Sequence, residues 1–314
     1  MFTKIIVPLD GSALSEKALP LAVLLAAEFK TELLLLRVVE NGEYGSSNEA
    51  RHYLENLEKF LNGQGFSDHQ PPYQVRLLVA NGSPVEQIVE TVQDYKADLI
   101  VMSTHGRSGL GRLFSGNVAS KVLHEVVCPV LLTHPKHEEP TELSEAFRLV
   151  TSEILKKPVL VPLDGSSLAE VALKPALLMA EIYNAPLHLI EILPPIEELA
   201  VESAPLTVGG YFPRGLTSQE LKEEALDYLL TVETDRLPPT HHIETHVVQG
   251  QPAPEIIRHA HTVSAGLIVM ASHTRTGIGR TILGSVTEEV LRKSEVPVLI
   301  INRHAGHLEE IKTH

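Results

Sequence analysis

Short apolar runs alternate with helical patterns along the whole chain. In the first half the apolar runs are KIIVPLD, ELLLLRVV, YQVRLLVA, DLIVMS and PVLLT. Helical patterns separate them, at about Ser15–Phe29, Glu49–Asn62, Val85–Tyr95 and Gly116–Val127. Apolar runs without polar alternation are typical of strands buried on both faces, as in a parallel sheet. The alternation of strands and helices therefore predicts a doubly wound α/β fold with five strands.

The chain carries this pattern twice. VPLDGS, which contains Asp10, returns with Asp164, 154 positions later. HGRSGLGRLFSGNVASKVLHEVVCPVLL, from His105, returns as HTRTGIGRTILGSVTEEVLRKSEVPVLI from His273, 168 positions later. The increase from 154 to 168 indicates an insertion in the second copy, at the Pro- and Gly-rich segment 194–215. Two such long copies predict a duplicated domain and not a short-repeat solenoid.

The predicted architecture is α/β, with two tandem doubly wound five-stranded parallel sheets. The first domain covers residues 1–137 and the second 156–305, with a polar linker at 138–155 and a C-terminal tail at 306–314. The length of 314 residues agrees with two domains. We expect the last apolar runs, PVLLT and PVLII, to pair the copies as an internal pseudo-dimer, because exposed apolar edges are a liability. A homodimer is a further candidate.

Composition narrows the classes of partner. The formal net charge of −14 leaves no broad basic surface, so nucleic acid is not an expected partner. Cys128 is the single cysteine, so no intrachain disulfide is possible. The stretch LAVLLAA is too short to span a bilayer, and the opening MFTKIIVPLDG predicts a strand and not a cleavable signal. No membrane association is expected, and the cytoplasm is the expected location.

Two features of each copy follow strands whose carboxyl ends meet at one edge of such a sheet. They are the VPLDGS turn after strand one and a glycine-spaced loop after strand four, at residues 105–117 in the first copy. Ligands of open α/β sheets bind at this edge, where the strand order reverses. Backbone N–H groups of the glycine loop and of the following helix N-terminus suit a phosphate chain. Four arginines accompany the loops, as phosphate contacts or as solvated surface charges: Arg107, Arg112, Arg275 and Arg280.

The same residues have purely structural interpretations. Gly109 fits a tight turn as well as a phosphate contact. Gly116 and Gly284 begin helices, where close packing against a strand also favours glycine. Asp10 and Asp164 suit the capping of the following helix as well as contact with a ligand.

Familiar catalytic, phosphate and metal motifs do not occur in the sequence. A Walker loop needs a Gly-Lys pair, and the dinucleotide fingerprint needs G-x-G-x-x-G where this chain reads DGSALS. No Ser/His/Asp order or carboxylate pair is recognisable, so no catalytic residue is predicted. His242 and His246 alternate on a predicted edge strand without a carboxylate-rich loop, and no metal site is predicted. His105 and His273 suit either ligand contact or a turn.

The pairing of VPLDGS with STHGRSGLGRLFSGNVASKVLHEVVCPVLL resembles the universal stress protein family, over almost the whole of both copies. Nucleotide-binding members carry G-x2-G-x9-G-[ST] after strand four. That pattern falls on Ser103, Gly106, Gly116 and Asn117 in the first copy, and on Ala271, Thr274, Gly284 and Ser285 in the second. The first copy thus lacks the first glycine and the terminal hydroxyl, and the second copy lacks the first two glycines. Because threonine resists a positive φ, we expect the first copy to be the better site.

The resemblance also implies adenine and ribose contacts. They fall on Pro8, Asp10 and Val38 in the first copy, and on Pro162, Asp164 and Ile192 in the second. Together with the pattern positions above, His105, Arg107 and Gly109 complete the predicted nucleotide-binding set. The implied ligand is ATP, or ADP or AMP, with Mg²⁺ as a candidate companion ion.

The function implied by the resemblance is nucleotide binding with a regulatory or stress-protective role, and not catalysis. A nucleotide-free interaction scaffold is the alternative, and a slow ATP hydrolase is a third interpretation. Related adenylate-forming enzymes carry SGGxDS or HIGH motifs, and neither occurs here. Turnover beyond slow hydrolysis is therefore not predicted.

Overall fold

The structure is a computed structural model that describes residues 2–40, 46–63, 72–104, 118–134, 142–149, 156–195, 217–272 and 283–302. The chain divides into two compact units, and over the described residues these units correspond to the two sequence copies. No helix within these ranges combines the length and the apolar character that crossing a bilayer requires.

The first unit is a five-stranded sheet with helices between its strands. Its strands are β1 (Lys4–Leu9), β2 (Glu32–Val39), β3 (Gln74–Asn81), β4 (Leu99–Ser103) and β5 (Val130–Thr133). Its helices are α1 (Ala13–Glu16), α2 (Leu19–Phe29), α3 (Ser46–Gly63), α4 (Pro84–Tyr95), α5 (Val118–Glu125) and α6 (Leu143–Leu149). The order β3-β2-β1-β4-β5 is parallel throughout, so the chain reverses its direction of winding at β1.

The second unit repeats this arrangement. Its strands are β6 (Val159–Leu163), β7 (Leu187–Leu193), β8 (Ile243–Gln249), β9 (Leu267–Ser272) and β10 (Val298–Asn302). Its helices are α7 (Leu173–Tyr183), α8 (Ser218–Arg236), α9 (Pro252–Thr262) and α10 (Ser285–Lys293). The order β8-β7-β6-β9-β10 is again parallel, which confirms the predicted doubly wound fold in both copies.

The predicted first helix is in fact two helices. Proline lacks the N–H that a helix interior requires, and its ring clashes with the carbonyl four residues before it. Helix α1 therefore ends at Glu16, and α2 begins at Leu19 with Pro20 in its first turn, where proline is well tolerated. The second copy follows the same rule, since Pro175 lies in the first turn of α7, after a 3₁₀ turn at Ala169–Ala172.

The central strands are buried on both faces, as their unbroken apolar sequences predict. Val7, Leu35 and Val101 are completely buried in the first unit, as are Val161 and Leu189 in the second. Each sheet is therefore covered on both faces, as parallel sheets usually are, and the loops at its strand ends are the usual place for functional residues.

Candidate functional site

The carboxyl ends of β1, β2 and β4 bring the predicted residues of the first copy to one edge of the sheet. In the parallel ladder Pro8 pairs with Leu36 and Leu9 with Arg37, so Val38 lies level with the turn that begins at Asp10. Ser103 ends β4 on the other side of β1. The reversal of strand order at β1 opens a crevice between such neighbours, which is the usual ligand position in this fold.

The VPLDGS turn of the first unit is held by hydrogen bonds from Ser12. Asp10 Oδ1 accepts from the Ser12 N–H at 2.9 Å and from its hydroxyl at 2.6 Å. Gly11 has a φ of +80°, a conformation that favours glycine. Ser12, and not Asp10, is the N-cap of α1, since its side chain accepts from the Ser15 N–H.

The second unit has the same turn. Asp164 Oδ1 accepts from the Ser166 N–H at 3.0 Å and from its hydroxyl at 2.5 Å, while the Ser166 hydroxyl accepts from the Ala169 N–H. The capping interpretation of the two aspartates is wrong in both copies: Ser12 is the N-cap of α1, and Leu168 and Ala172 are the N-caps of the 3₁₀ turn and of α7. Each aspartate instead accepts the hydrogen bonds that hold its turn, after the first strand of its unit.

A glutamate–tyrosine pair lies beside each turn, and the sequence analysis did not identify it. The Tyr53 hydroxyl donates to Glu16 Oε1 at 2.8 Å in the first unit. The Tyr228 hydroxyl donates to Glu170 at 3.4 Å in the second. Burial raises the pKa of Glu16 and of both tyrosines, so all three are held toward their neutral forms. Glu16 and Glu170 are 154 positions apart, the spacing of Asp10 and Asp164, and that repeat was the available signal.

The two units differ in charge at one equivalent position of the crevice. Arg37 pairs with Leu9 across the β1–β2 ladder, and Glu191 pairs with Leu163 across the β6–β7 ladder. Arg37 donates to the Val38 carbonyl at 2.8 Å. Burial, and then the nearby Asp164 carboxylate, raises the pKa of Glu191 to about 7. The first unit thus has a cation where the second has an acid, so an anionic ligand meets a more favourable field in the first.

Helix α10 begins in the second unit at the predicted phosphate-binding position. Gly284 is its N-cap, with a φ of −61°, and Ser285 is its exposed first residue. Among the described residues, a Cβ added at Gly284 would meet only Thr287 Oγ1, at 4.0 Å. Packing against this part of the chain therefore does not require glycine at this position. Ala271 lies one residue before the end of β9, at the same edge of the sheet.

The remaining predicted positions divide into two groups. Pro162 lies in β6 and Ile192 in β7, near the carboxyl ends of both strands, as Pro8 and Val38 do in the first unit. Seven predicted residues lie outside the described part of the chain: His105, Gly106, Arg107, Gly109, Gly116, Asn117 and Thr274. The glycine loops themselves therefore stay sequence predictions.

The chain is similar in sequence to proteins of a known family. The sequence model of the Universal stress protein family matches residues 1–134 and again 156–302. A universal stress protein of Methanocaldococcus jannaschii is 33% identical over 153 residues, which cover 44% of this chain and 86% of the relative. A universal stress protein of Mycolicibacterium smegmatis is 24% identical over 315 residues, covering 95% of this chain and 96% of the relative.

A solved structure matches both units together. The crystal structure of a universal stress protein from Archaeoglobus fulgidus has a TM-score of 0.61 and 20% sequence identity, covering 96% of this chain and 98% of that one. At this identity the likeness bears on the fold alone. Together with the two matches of the family model, these observations show that the chain belongs to the universal stress protein family, with two domains of the family in tandem.

Proposed function

We propose that the protein binds ATP or another adenine nucleotide at the carboxyl edge of its sheets, and that it has a regulatory or stress-protective role without catalysis. One observation carries the proposal. In the first unit the Asp10 turn, Val38 and the end of β4 at Ser103 lie at one edge, around the strand at which the winding reverses. This is the position at which doubly wound sheets hold nucleotides. The cytoplasm stays the expected location.

The start of α10 supports a phosphate position in the second unit. An α-helix leaves its first N–H groups without intrahelical partners, and its dipole favours an anion there. Gly284 caps this helix without a side-chain hydrogen bond, and neither its φ nor its packing against the described residues requires glycine. A small residue at this place leaves room for a phosphate to approach the backbone.

We further propose that the two sites are unequal, with the first copy the tighter. Two independent features support this order. Glu191 places an acid where the first unit has Arg37. Thr274 replaces the second glycine of the family pattern, and a positive φ at that position would add about 1–3 kcal/mol of strain. At ~1.4 kcal/mol per tenfold, that strain corresponds to roughly five- to hundredfold weaker binding.

Isothermal titration of the full-length chain with ATP, ADP and AMP, with and without Mg²⁺, tests the proposal. We expect a tight and a weak phase, with Gly116→Val removing the tight phase and Gly284→Val the weak one. Gly63→Val is the matched control, because Gly63 ends α3, away from the crevice, and a Cβ there meets no atom of the described residues within 4 Å. Loss of the tight phase in Gly284→Val but not in Gly116→Val would reverse the order of the sites.

The interaction scaffold without nucleotide is the second candidate, and the same titration separates the two. A scaffold gives no heat of binding with any of the three nucleotides, and the purified protein releases no nucleotide after boiling. A parallel assay of phosphate release from ATP tests the absence of catalysis, since sustained turnover would contradict a binding role alone.

A further inference from the structure

Three histidines of the second unit converge at the opposite end of the sheet from the crevice. His188 lies near the start of β7, His246 in β8 and His259 near the end of α9. Each offers one ring nitrogen, and the three nitrogens lie within 4.8 Å of one another. We name this group the histidine cluster.

The parallel ladder explains how these side chains meet. His188 pairs with Glu244, and Ile190 pairs with His246. Paired residues of a parallel ladder share a face, and residues two apart on a strand share it too, so His188, Glu244 and His246 lie on one face. Helix α9 returns along the sheet after β8 and brings His259 to the same place. His188 precedes His246 by 58 residues and His259 follows it by 13, so the three do not form a short ligand-spacing motif.

The contact distances match the needs of a bound transition metal. The His188 Nδ1 and His246 Nε2 atoms are 3.2 Å apart. Zinc–nitrogen bonds of about 2.0–2.1 Å in a tetrahedral site place two ligand nitrogens about 3.3 Å apart. The ring centroids of His246 and His259 are 4.5 Å apart. These side chains therefore need only small rotations to share one ion.

His259 adds a second, independent observation. Its side chain is 8% exposed, and its Nε2 atom is buried without a hydrogen-bond partner among the described residues. Burying a polar nitrogen without a partner is costly, so native structures rarely keep one. A cation bound by the cluster supplies the missing partner.

Glu244 supplies negative charge and a route from solvent. Its Oε2 atom lies 3.7 Å from the Nε2 atoms of both His188 and His246. The Glu244 side chain is 43% exposed, whereas that of His188 is 5% exposed. An ion can therefore enter beside the carboxylate, which offsets its charge and offers a fourth ligand.

The first unit shows that the fold does not need histidines at these positions. The repeat spacings of 154 and 168 residues match His188 with Leu34, His246 with Leu78 and His259 with Thr91. Leu34 and Thr91 are buried. Small and apolar side chains thus fill the equivalent layer of the first unit.

We propose that His188, His246 and His259 bind a divalent transition metal ion, with Zn²⁺ as the first candidate and Glu244 as the fourth ligand. Three imidazoles and a carboxylate are a donor set that suits Zn²⁺. The site lies toward the amino ends of β7 and β8, and none of its residues belongs to the proposed nucleotide site at the carboxyl ends.

The test uses the full-length protein after removal of metal with a chelator. Zn²⁺ is titrated in competition with a chromophoric chelator, and Co²⁺ is added to report the geometry through its visible absorption. We expect one Zn²⁺ per chain, the intense Co²⁺ bands of a tetrahedral site, and shifted NMR signals of three histidines in the unmodified protein. Failure of the unmodified protein to bind either ion would overturn the proposal without any variant.

The variants take their residues from the first unit, where they fit the same layer. His188→Leu, His246→Leu and His259→Thr should each weaken Zn²⁺ binding by more than about 100-fold, since even outer partners of metal ligands contribute roughly 10- to 100-fold. His242→Ala is the matched control, because His242 contacts Glu244 at 3.7 Å but its side chain is 71% exposed. Equal Zn²⁺ affinity in the control and in all three folded variants would assign the histidines to packing.

Discussion

At the scale of single residues, two glycines of the second unit are retained for different reasons. Gly250 has a φ of +154°, and a Cβ added there would lie 2.7 Å from Glu255 Cγ. Gly284 has a φ of −61°, and its added Cβ would meet no atom of the described residues closer than 4.0 Å. The backbone therefore requires glycine at the first position but not at the second.

This difference predicts opposite results for the same substitution. Gly250→Ala should lower the free energy of unfolding by about 1–3 kcal/mol, because it forces a strained conformation. Gly284→Ala should cost at most about 1 kcal/mol, the scale of an altered N-cap, while weakening nucleotide binding in the second copy. Urea unfolding and ATP titration of both variants measure the two effects. A large loss of stability in Gly284→Ala would restore the packing interpretation.

Glu191 makes stability depend on pH in a defined direction. Its folded pKa of about 7 lies above the ordinary value of 4.5, mainly through burial and then through Asp164. Between these values the folded state binds more protons than the unfolded state, so stability falls as the pH rises from about 4.5 to about 7 and then levels. The slope from this group is at most about 1.4 kcal/mol per pH unit, and partial exposure reduces it.

Glu191→Gln provides the measurement, because it removes the titration and keeps the shape. The difference in unfolding free energy between variant and parent should grow in favour of the variant from pH 4.5 to pH 7. A difference that shrinks over this range would contradict the assignment of the raised pKa.

At the scale of elements, the VPLDGS turn of the first unit separates the capping group, Ser12, from the proposed ligand contact, Asp10. Asp10→Asn keeps the Oδ1 acceptor for Ser12, so the free energy of unfolding should change little. Asp10→Ala removes that acceptor and should cost about 1 kcal/mol, the scale of a lost hydrogen bond. If Asp10 also contacts the adenine or ribose, both variants weaken ATP binding. Normal affinity in a stable Asp10→Asn protein would restrict Asp10 to the turn.

The sequence predicted most elements because each depends on local pattern. Unbroken apolar runs predicted the strands of both copies, and Pro20 and Pro175 are compatible with either a kink or a late helix start, of which the structure has the late start. The role of Asp10 stayed open because aspartate and serine both favour the N-cap position, and only the geometry of the turn selects Ser12. The histidine cluster was missed because its members come from three elements and meet only through strand register.

At the scale of the whole molecule, the internal pseudo-dimer stays a prediction. β5 and β10 are the last strands in the orders given for their units. All their residues are apolar except the final one, Thr133 in β5 and Asn302 in β10. Residues 1–137 and 156–305, expressed separately, should therefore self-associate or bind each other when mixed. Analytical ultracentrifugation at micromolar concentration measures this, with the full-length chain as reference. If both domains remain stable monomers, alone and when mixed, the pseudo-dimer prediction is wrong.

Helix α9 connects the carboxyl edge of the second sheet to the histidine cluster. It begins at Pro252, just after the carboxyl end of β8, and His259 lies seven residues further, about 10 Å along the axis at 1.5 Å per residue. An ion bound by His259 would hold the C-terminal end of α9 against the sheet. Thermodynamic linkage then imposes reciprocity: if Zn²⁺ changes the affinity of this domain for nucleotide, nucleotide changes its affinity for Zn²⁺ by the same factor.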